Sequence, residues 1–227
     1  MNKPGRLLTA MATPFDAEGK VDYAQARKLA LALIHSGSQG LVVSGTTGES
    51  PTLTLDEKLR LWAEVKAAVG NQGTVIAGTG NYSTAESLEL TQEAERVGVD
   101  GCLLVVPYYN KPTQEGLYQH FKAIASGTHL PCILYNVPSR TVTELYADTV
   151  IRLSQIVNII GVKEASGKLE PIVRVIDGAR AGFLVYSGND SDTLPILSIG
   201  GYGIISVASH LVGAQIREMI ESYLRGK

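Results

Sequence analysis

The 227-residue chain carries 20 Lys and Arg residues against 22 Asp and Glu residues, which gives a formal net charge of −2. It has no basic cluster, so the sequence offers no electrostatic footprint for nucleic acid or an anionic membrane surface. No apolar stretch approaches the roughly 20 residues of a membrane-spanning helix, and the amino-terminal segment has too short an apolar core for a signal peptide. We therefore expect a soluble, cytoplasmic protein whose partner is a small molecule.

Short apolar segments typical of strands alternate with amphipathic segments typical of helices along the whole sequence. The predicted strands are Leu7–Ala12, Gly40–Ser44, Val75–Gly78, Gly101–Val106, Cys132–Tyr135, Ile159–Lys163, Leu184–Ser187 and Gly203–Val207. The predicted helices are Tyr23–His35, Leu55–Val69, Ala85–Val97, Gln114–Ser126, Leu145–Leu153, Leu169–Ile176, Asp192–Ile199 and Gly213–Leu224. Thr54 with Glu57, and Ser83 with Glu86, have the spacing of capping boxes at two helix starts.

Eight strand-plus-helix units predict a closed (β/α)8 TIM barrel, because alternating units form a parallel sheet with right-handed crossovers. The competing fold is an open doubly wound sheet, which a glycine fingerprint after the first strand would favour. That turn reads ATPFDAEGK instead. We predict the barrel, with residues 1–227 as a single domain. Cys102 and Cys132 fall in apolar strand-like segments, where we expect free thiols and no disulfide.

The segment IVNIIGVKEAS, from Ile156 to Ser166, is the most informative stretch of the chain. Its apolar run is typical of a strand buried on both faces, and Lys163 lies at its carboxyl end, where barrels hold their chemistry. Two interpretations of Lys163 are open. It is either the first solvated residue after the strand, or an amine in a desolvated pocket whose lowered pKa leaves a neutral, nucleophilic fraction.

Polar residues also follow other strands at the same predicted rim. The second strand ends in SGTTGES, whose hydroxyl and amide donors suit a carboxylate, although a tight capped turn accounts for the same residues. The fourth and fifth strands end in PYYNKP and YNVPSRT, which supply tyrosines and an arginine. The seventh ends in SGND before a helix, where amide donors favour an anion. This inventory predicts a small carbonyl acid attacked by Lys163.

A metal-dependent aldol mechanism is the main competitor, and it needs several converging ligands. His35 and His120 fall in helical patterns, His129 lies in a loop before a strand, and His210 follows a strand end. We interpret all four histidines as structural and expect neither a metal nor a cofactor.

The motifs GTTGES, PYYNKP, YNVPSRT, IIGVKEAS and GIISV, in this order and spacing, closely resemble the dihydrodipicolinate synthase family of pyruvate-dependent class I aldolases. The resemblance runs from Gly5 to about Tyr223. It implies that Lys163 forms a Schiff base with pyruvate. The derived enamine would attack the aldehyde of L-aspartate 4-semialdehyde, in the pathway to diaminopimelate and lysine.

The resemblance also implies a proton relay. Tyr135 matches the family's proton donor and acceptor, and Thr46 and Tyr109 match the other relay members, with Tyr109 typically supplied by a neighbouring subunit. A homo-oligomer is therefore expected. The family carries a further C-terminal helical segment that this sequence lacks, so we expect weakened assembly, and a catalytically silent or weakened barrel stays open as an alternative.

Four positions match residues that bind substrate in this family. Thr47 and Ile205 match contacts to pyruvate, Gly188 matches the pocket wall, and Arg140 matches the arginine that receives the semialdehyde carboxylate at the pocket entrance. The related N-acetylneuraminate and 2-keto-3-deoxy-sugar-acid lyases share the lysine, the tyrosine and the first loop, and they are the alternative enzymes. Arg140 favours the synthase, because those lyases usually lack this arginine.

Feedback by lysine is expected to be weak or absent. Ser50, Glu86 and Tyr108 align with the allosteric lysine site of sensitive family members, but Leu55 and Lys58 stand where those members carry histidines. A second ammonium at Lys58 would repel a bound lysine.

Overall fold

A computed structural model describes residues 3–226, and within them eight parallel strands close into one barrel in chain order. The strands are β1 Leu7–Ala10, β2 Gly40–Val43, β3 Thr74–Gly78, β4 Gly101–Val105, β5 Cys132–Asn136, β6 Ile159–Glu164, β7 Leu184–Ser187 and β8 Gly203–Ser206. The prediction of a (β/α)8 TIM barrel is confirmed. Met1, Asn2 and Lys227, which the predicted single domain includes, lie outside the described residues.

The helices surround this barrel. They are α1 Tyr23–His35, α2 Leu55–Val69, α3 Thr84–Val97, α4 Gln114–Ser126, α5 Pro138–Thr141, α6 Ala147–Leu153, α7 Leu169–Gly178, α8 Thr193–Ser198 and α9 Ser209–Leu224. Side-chain caps mark the starts of α2 and α3, as the sequence predicts. Thr54 and Glu57 form the predicted capping box of α2, since each side chain bonds the backbone N–H of the other residue. Ser83 accepts from the backbone N–H of Glu86 at the start of α3.

Two helical segments differ most from the sequence prediction. The short helix α5 begins at Pro138, whose fixed φ suits a first helical position, although the sequence indicated only an irregular strand end there. Helix α9 begins at Ser209 rather than at the predicted Gly213. A non-helical residue, Val212 with φ −128° and ψ 35°, divides α9 near the predicted start.

The barrel has two apolar layers because strand residues alternate between its inner and outer faces. The inner layer contains Leu8, Val42, Ile133, Tyr135, Tyr186 and Ile205, whereas the outer layer packs the strands against the helices. Trp62 of α2 is fully buried in the outer layer, and its indole N–H donates to Ser44 Oγ at 2.8 Å. Cys102 and Cys132 are buried there as free thiols, with their sulfurs 3.4 Å apart. Within residues 3–226, no helix combines the length and apolar character needed to cross a membrane.

Candidate active site

Lys163 lies near the carboxyl end of β6 with its side chain inside the barrel. It is in register with Tyr135 of β5 and Tyr186 of β7, and only 4% of its surface is exposed. Its Nζ atom lies 4.4 Å from the centroid of the Tyr135 ring, where a cation is attracted to the face of the aromatic ring. Of the two interpretations open from the sequence, the structure therefore supports the desolvated amine, and Lys163 is not a solvated strand end.

The surroundings of Lys163 change its acidity. Burial lowers the pKa of the amine from 10.5 to about 8, because desolvation disfavours the charged form. The carboxylate of Asp190 opposes this shift, and the guanidinium of Arg140 adds to it. At pH 7, roughly a tenth of the amine is then neutral and able to attack a carbonyl carbon.

Tyr135 provides a phenol beside this amine. Its side chain is 6% exposed, and burial raises its pKa above the ordinary value of 10, opposed by the charge of Arg140 and by a side-chain hydrogen bond with Thr46. The phenol is therefore protonated at neutral pH. Lys163, Tyr135 and Thr46, three of the four predicted catalytic residues, are brought together at one end of the barrel.

Thr46 is carried by a tightly turned loop after β2. The loop starts at Ser44 and includes Glu49, which adopt left-handed backbone angles with φ of 52° and 55°. Gly48 is required by close approach, since a Cβ there would lie 2.9 Å from the carbonyl oxygen of Met11. Ser44 is in turn fixed by the indole of Trp62. These contacts hold Thr46 at the cavity, on a backbone that few residue types adopt without strain.

A cavity of about 500 Å³ opens at this end of the barrel, and Thr46, Tyr135 and Arg140 line it. Arg140 belongs to the short helix α5, and its exposed guanidinium stands at the entrance. Its charge affects the pKa values of both Lys163 and Tyr135. A permanent positive charge that acts on the amine and is open to solvent suits recognition of a carboxylate.

The three other predicted binding residues lie in or just after three strands of the barrel. Thr47 is half-buried in the loop after β2, and Ile205 is fully buried in β8. Gly188 follows β7, where a Cβ would lie 2.7 Å from the Cβ of Ala165, so a larger residue would push the two strand ends apart. None of these three lines the 500 Å³ cavity, and their contacts with a substrate stay predictions.

Tyr109 is not brought to Lys163 within this chain. It lies in the loop after β4 with a left-handed φ of 71°, and its side chain is 91% exposed. The fourth predicted catalytic residue therefore faces solvent, away from the three that cluster.

Asp190, the acid whose charge raises the pKa of Lys163, was not among the predicted site residues. Its carboxylate accepts from the hydroxyl of Ser206 and from the backbone N–H groups of Val207 and Ala208, at 3.2 and 3.1 Å for the two amides. The sequence indicates that amides after β7 favour an anion, which stays a prediction; the acid of that SGND motif accepts from the donors that follow β8. The only available signal was Asp190 itself, directly after a strand end.

The predicted structural histidines include two with defined partners. His120 is buried, its Nδ1 atom lies 2.8 Å from Thr84 Oγ1, and desolvation lowers its pKa to about 4. His210 accepts from the backbone N–H of Ala12 at 3.1 Å. In the part of the chain that the structure describes, no three His, Cys, Asp or Glu residues converge to hold a metal ion.

Comparisons with known proteins identify relatives over the whole chain. The model of the dihydrodipicolinate synthetase family matches residues 3–227. A 4-hydroxy-tetrahydrodipicolinate synthase from Dehalococcoides mccartyi is 68% identical over 226 residues, which cover 100% of this chain and 76% of that protein. A crystal structure of a dihydrodipicolinate synthase from Bacillus anthracis is 50% identical with a TM-score of 0.98, and the match covers 100% of this chain and 77% of that one.

A third comparison includes a ligand. The crystal structure of a dihydrodipicolinate synthase from Acinetobacter baumannii, described as chloride-inhibited and complexed with pyruvate, is 40% identical with a TM-score of 0.95, over 98% of this chain and 77% of that one. Both solved structures are at least 40% identical to this chain over nearly its whole length, and their TM-scores show the same barrel fold. The chain therefore belongs to the dihydrodipicolinate synthetase family.

Proposed function

We propose that this chain condenses pyruvate with L-aspartate 4-semialdehyde to form 4-hydroxy-tetrahydrodipicolinate, a step toward diaminopimelate and lysine. The observation that carries the proposal is the buried amine of Lys163, which lies over the Tyr135 ring beside a cavity with an arginine at its entrance. The name of the Dehalococcoides relative and the pyruvate in the Acinetobacter structure support this choice of reaction and first substrate.

The first half of the reaction joins pyruvate to Lys163. The neutral Nζ attacks the ketone carbon and forms a carbinolamine, and loss of water then gives the protonated imine. Tyr135, protonated and adjacent, donates the proton that leaves with the hydroxyl as water. Its phenolate is reprotonated through Thr46, the neighbouring hydroxyl whose side chain lowers the pKa of the phenol.

The second half makes the new carbon–carbon bond. The cationic imine withdraws electrons from the pyruvate methyl group, which loses a proton to give the enamine. The enamine carbon attacks the aldehyde carbon of the semialdehyde, and the aldehyde oxygen takes up a proton. The amino group of the added substrate then attacks the imine carbon, so that the ring closes and Lys163 leaves as a free amine. No cofactor takes part in this sequence.

Arg140 selects the second substrate in this proposal. Its guanidinium is exposed at the cavity entrance, and a rigid fork of N–H donors matches a carboxylate. The second candidate function is that of the related sugar-acid lyases. By the family resemblance, those enzymes usually lack this arginine.

A homo-oligomer completes the site in this proposal. Tyr109 is 91% exposed in its own chain, and the family resemblance places the matching tyrosine in the site of a neighbouring subunit. An exposed tyrosine on a left-handed loop residue is accounted for if it enters a partner's cavity.

Lysine binds weakly in the outer part of the same cavity, if at all. Ser50, Lys58, Glu86 and Tyr108 line that part. Burial lowers the pKa of Lys58, an effect that the charge of Glu86 opposes. The ammonium of Lys58 already lies within electrostatic range of this acid, so an incoming lysine ammonium meets a like charge.

The Schiff base is tested by trapping. Incubation with pyruvate and borohydride should place a reduced adduct on the peptide that contains Lys163, because the imine is formed there. Mass spectrometry of the digest identifies the residue, and the Lys163→Arg variant is the matched control. Adducts distributed evenly over the exposed lysines would refute the assignment.

The pH dependence of trapping follows from the acidity of Lys163. The neutral amine is the nucleophile, so the initial trapping rate should rise about tenfold per pH unit below the pKa and level off above it. With a pKa of about 8, the plateau begins near that pH. A rate that keeps rising to pH 10 would show an amine with an ordinary pKa and would contradict the desolvated site.

Arg140→Ala tests the second substrate. Losing a charge-assisted hydrogen bond costs about 1.5–3 kcal/mol, so KM for the semialdehyde should rise roughly 10- to 100-fold, while KM for pyruvate changes little. Arg174→Ala, which removes an exposed arginine that pairs with Asp148, is the control. Equal increases in both KM values would argue against the assigned role.

Mixing two inactive variants tests the shared site. Lys163→Ala and Tyr109→Phe each disable every site when alone. In a mixed dimer, one site combines an intact Lys163 with an intact Tyr109 from the other chain. Random reassembly should therefore restore about a quarter of wild-type activity. No recovery, with mixed dimers demonstrated by native mass spectrometry, would place Tyr109 outside the partner's site.

A further inference from the structure

The residues that follow Tyr135 and Lys163 form a second cross-strand pair. Tyr135 is in register with Lys163, and Asn136 is in register with Glu164. Because successive strand residues point to opposite faces, the first pair faces the barrel interior and the second faces the surrounding helices. Asn136 and Glu164 are only 2% and 6% exposed, so this outer pair is a buried polar contact behind the reactive one.

Asn136 and Glu164 form hydrogen bonds with each other and with the backbone of neighbouring segments. Asn136 Nδ2 donates to both carboxylate oxygens of Glu164, at 3.2 and 3.0 Å, and the backbone N–H of Ser166 donates to Glu164 Oε1 at 2.8 Å. Asn136 also accepts from the backbone N–H of Leu145 at 3.0 Å and donates to its carbonyl oxygen at 3.3 Å. These bonds fix the orientation of the Asn136 amide.

The same pair connects several segments of the site. Leu145 belongs to the segment after α5, the helix that carries Arg140. The backbone carbonyl of Glu164 accepts from the N–H of Gly188 at 2.7 Å. Four predicted site residues, Lys163, Tyr135, Arg140 and Gly188, are therefore carried by segments that Asn136 and Glu164 bind together.

We propose that Asn136 and Glu164 are positioning residues that hold the Lys163 amine and the Tyr135 ring in register and fix the Arg140 segment beside them. This inference rests on the proposed function. A buried carboxylate held by amides destabilises a fold relative to a packed apolar pair, so packing alone does not account for it. Displacing reacting groups by about 1 Å costs about 100-fold in rate.

The hydrogen-bond polarity of the pair suggests the variants. Glu164→Gln turns an amide donor toward the Asn136 amide, so that donor faces donor. Asn136→Asp turns a carboxylate toward the Glu164 carboxylate, so that acceptor faces acceptor. The double variant restores a donor opposite an acceptor with the polarity reversed. Asn158→Asp is the matched control. Asn158 lies just before β6, at the opposite end of the barrel, and its side-chain amide donates to three backbone carbonyls.

Each single change should lower kcat about tenfold or more, with a smaller effect on KM for pyruvate. The double variant should recover part of that loss, and the control should lower the melting temperature without changing kcat per folded molecule. Thermal unfolding of every variant measures the folded fraction. Single variants with kcat within twofold of wild type, or a double variant whose loss equals the product of the single losses, would overturn the proposal.

A second measurement needs no pyruvate. Reductive methylation with formaldehyde and borohydride, followed by mass spectrometry, gives the midpoint of the pH dependence of Lys163 modification, with exposed Lys111 as the internal reference. In Glu164→Gln the midpoint should rise above about 8, because a displaced amine is better solvated. If the variant acted only by removing the negative charge of Glu164, the midpoint would fall instead. An unchanged or lowered midpoint refutes positioning, whereas failure of wild-type pyruvate trapping refutes only the proposed function.

Discussion

The site depends on keeping one lysine amine out of water. Lowering the pKa of Lys163 from 10.5 to about 8 corresponds to about 3 kcal/mol against the charged form. Between these two pH values the unfolded amine binds more protons than the folded one, so stability rises with pH across that window. Below pH 8 the amine is charged in both states, and the full cost of burying that charge lowers the stability of the fold. The strand pairing on both sides of β6 and the apolar inner layer must offset it.

Two charged residues adjust the effect of burial in opposite directions. Asp190 favours the ammonium, and Arg140 disfavours it. Asp190 is itself fixed by three donors at the end of β8, so it balances the acidity of Lys163 without forming the close ion pair that would keep the amine charged. Arg140 stands at the entrance, so a substrate carboxylate that neutralises it would also change the field at Lys163. On the proposed role of Arg140, substrate binding and the acidity of Lys163 are coupled.

Much of this arrangement could be predicted from sequence because it depends on local signals. The bounds of α1, α2 and α4 agree with the predicted ones at both ends, since caps and apolar periodicity are properties of neighbouring residues. The strand-end motifs located Thr46, Tyr135, Arg140 and Lys163 because parallel strands finish at one rim. The role of Asp190 was missed, since it depends on how close the ends of β7 and β8 lie. The short helix α5 was missed because it spans only four residues and begins at Pro138, two residues after β5 ends.

Alternation along the strands explains why neighbouring residues have such different surroundings. Lys163 and Tyr135 point inward, where low polarity makes the amine reactive, while Glu164 and Asn136 point outward. The outer layer is largely apolar, yet it contains a buried carboxylate held by amide donors. A one-residue slip of β6 against β5 would exchange the two faces, turning the carboxylate into the barrel interior and the amine out of it. Asn136 and Glu164 can form their hydrogen bonds only in the register that places Tyr135 and Lys163 inside the barrel. The hydrogen bonds that stabilise these strand ends therefore also specify where the amine lies.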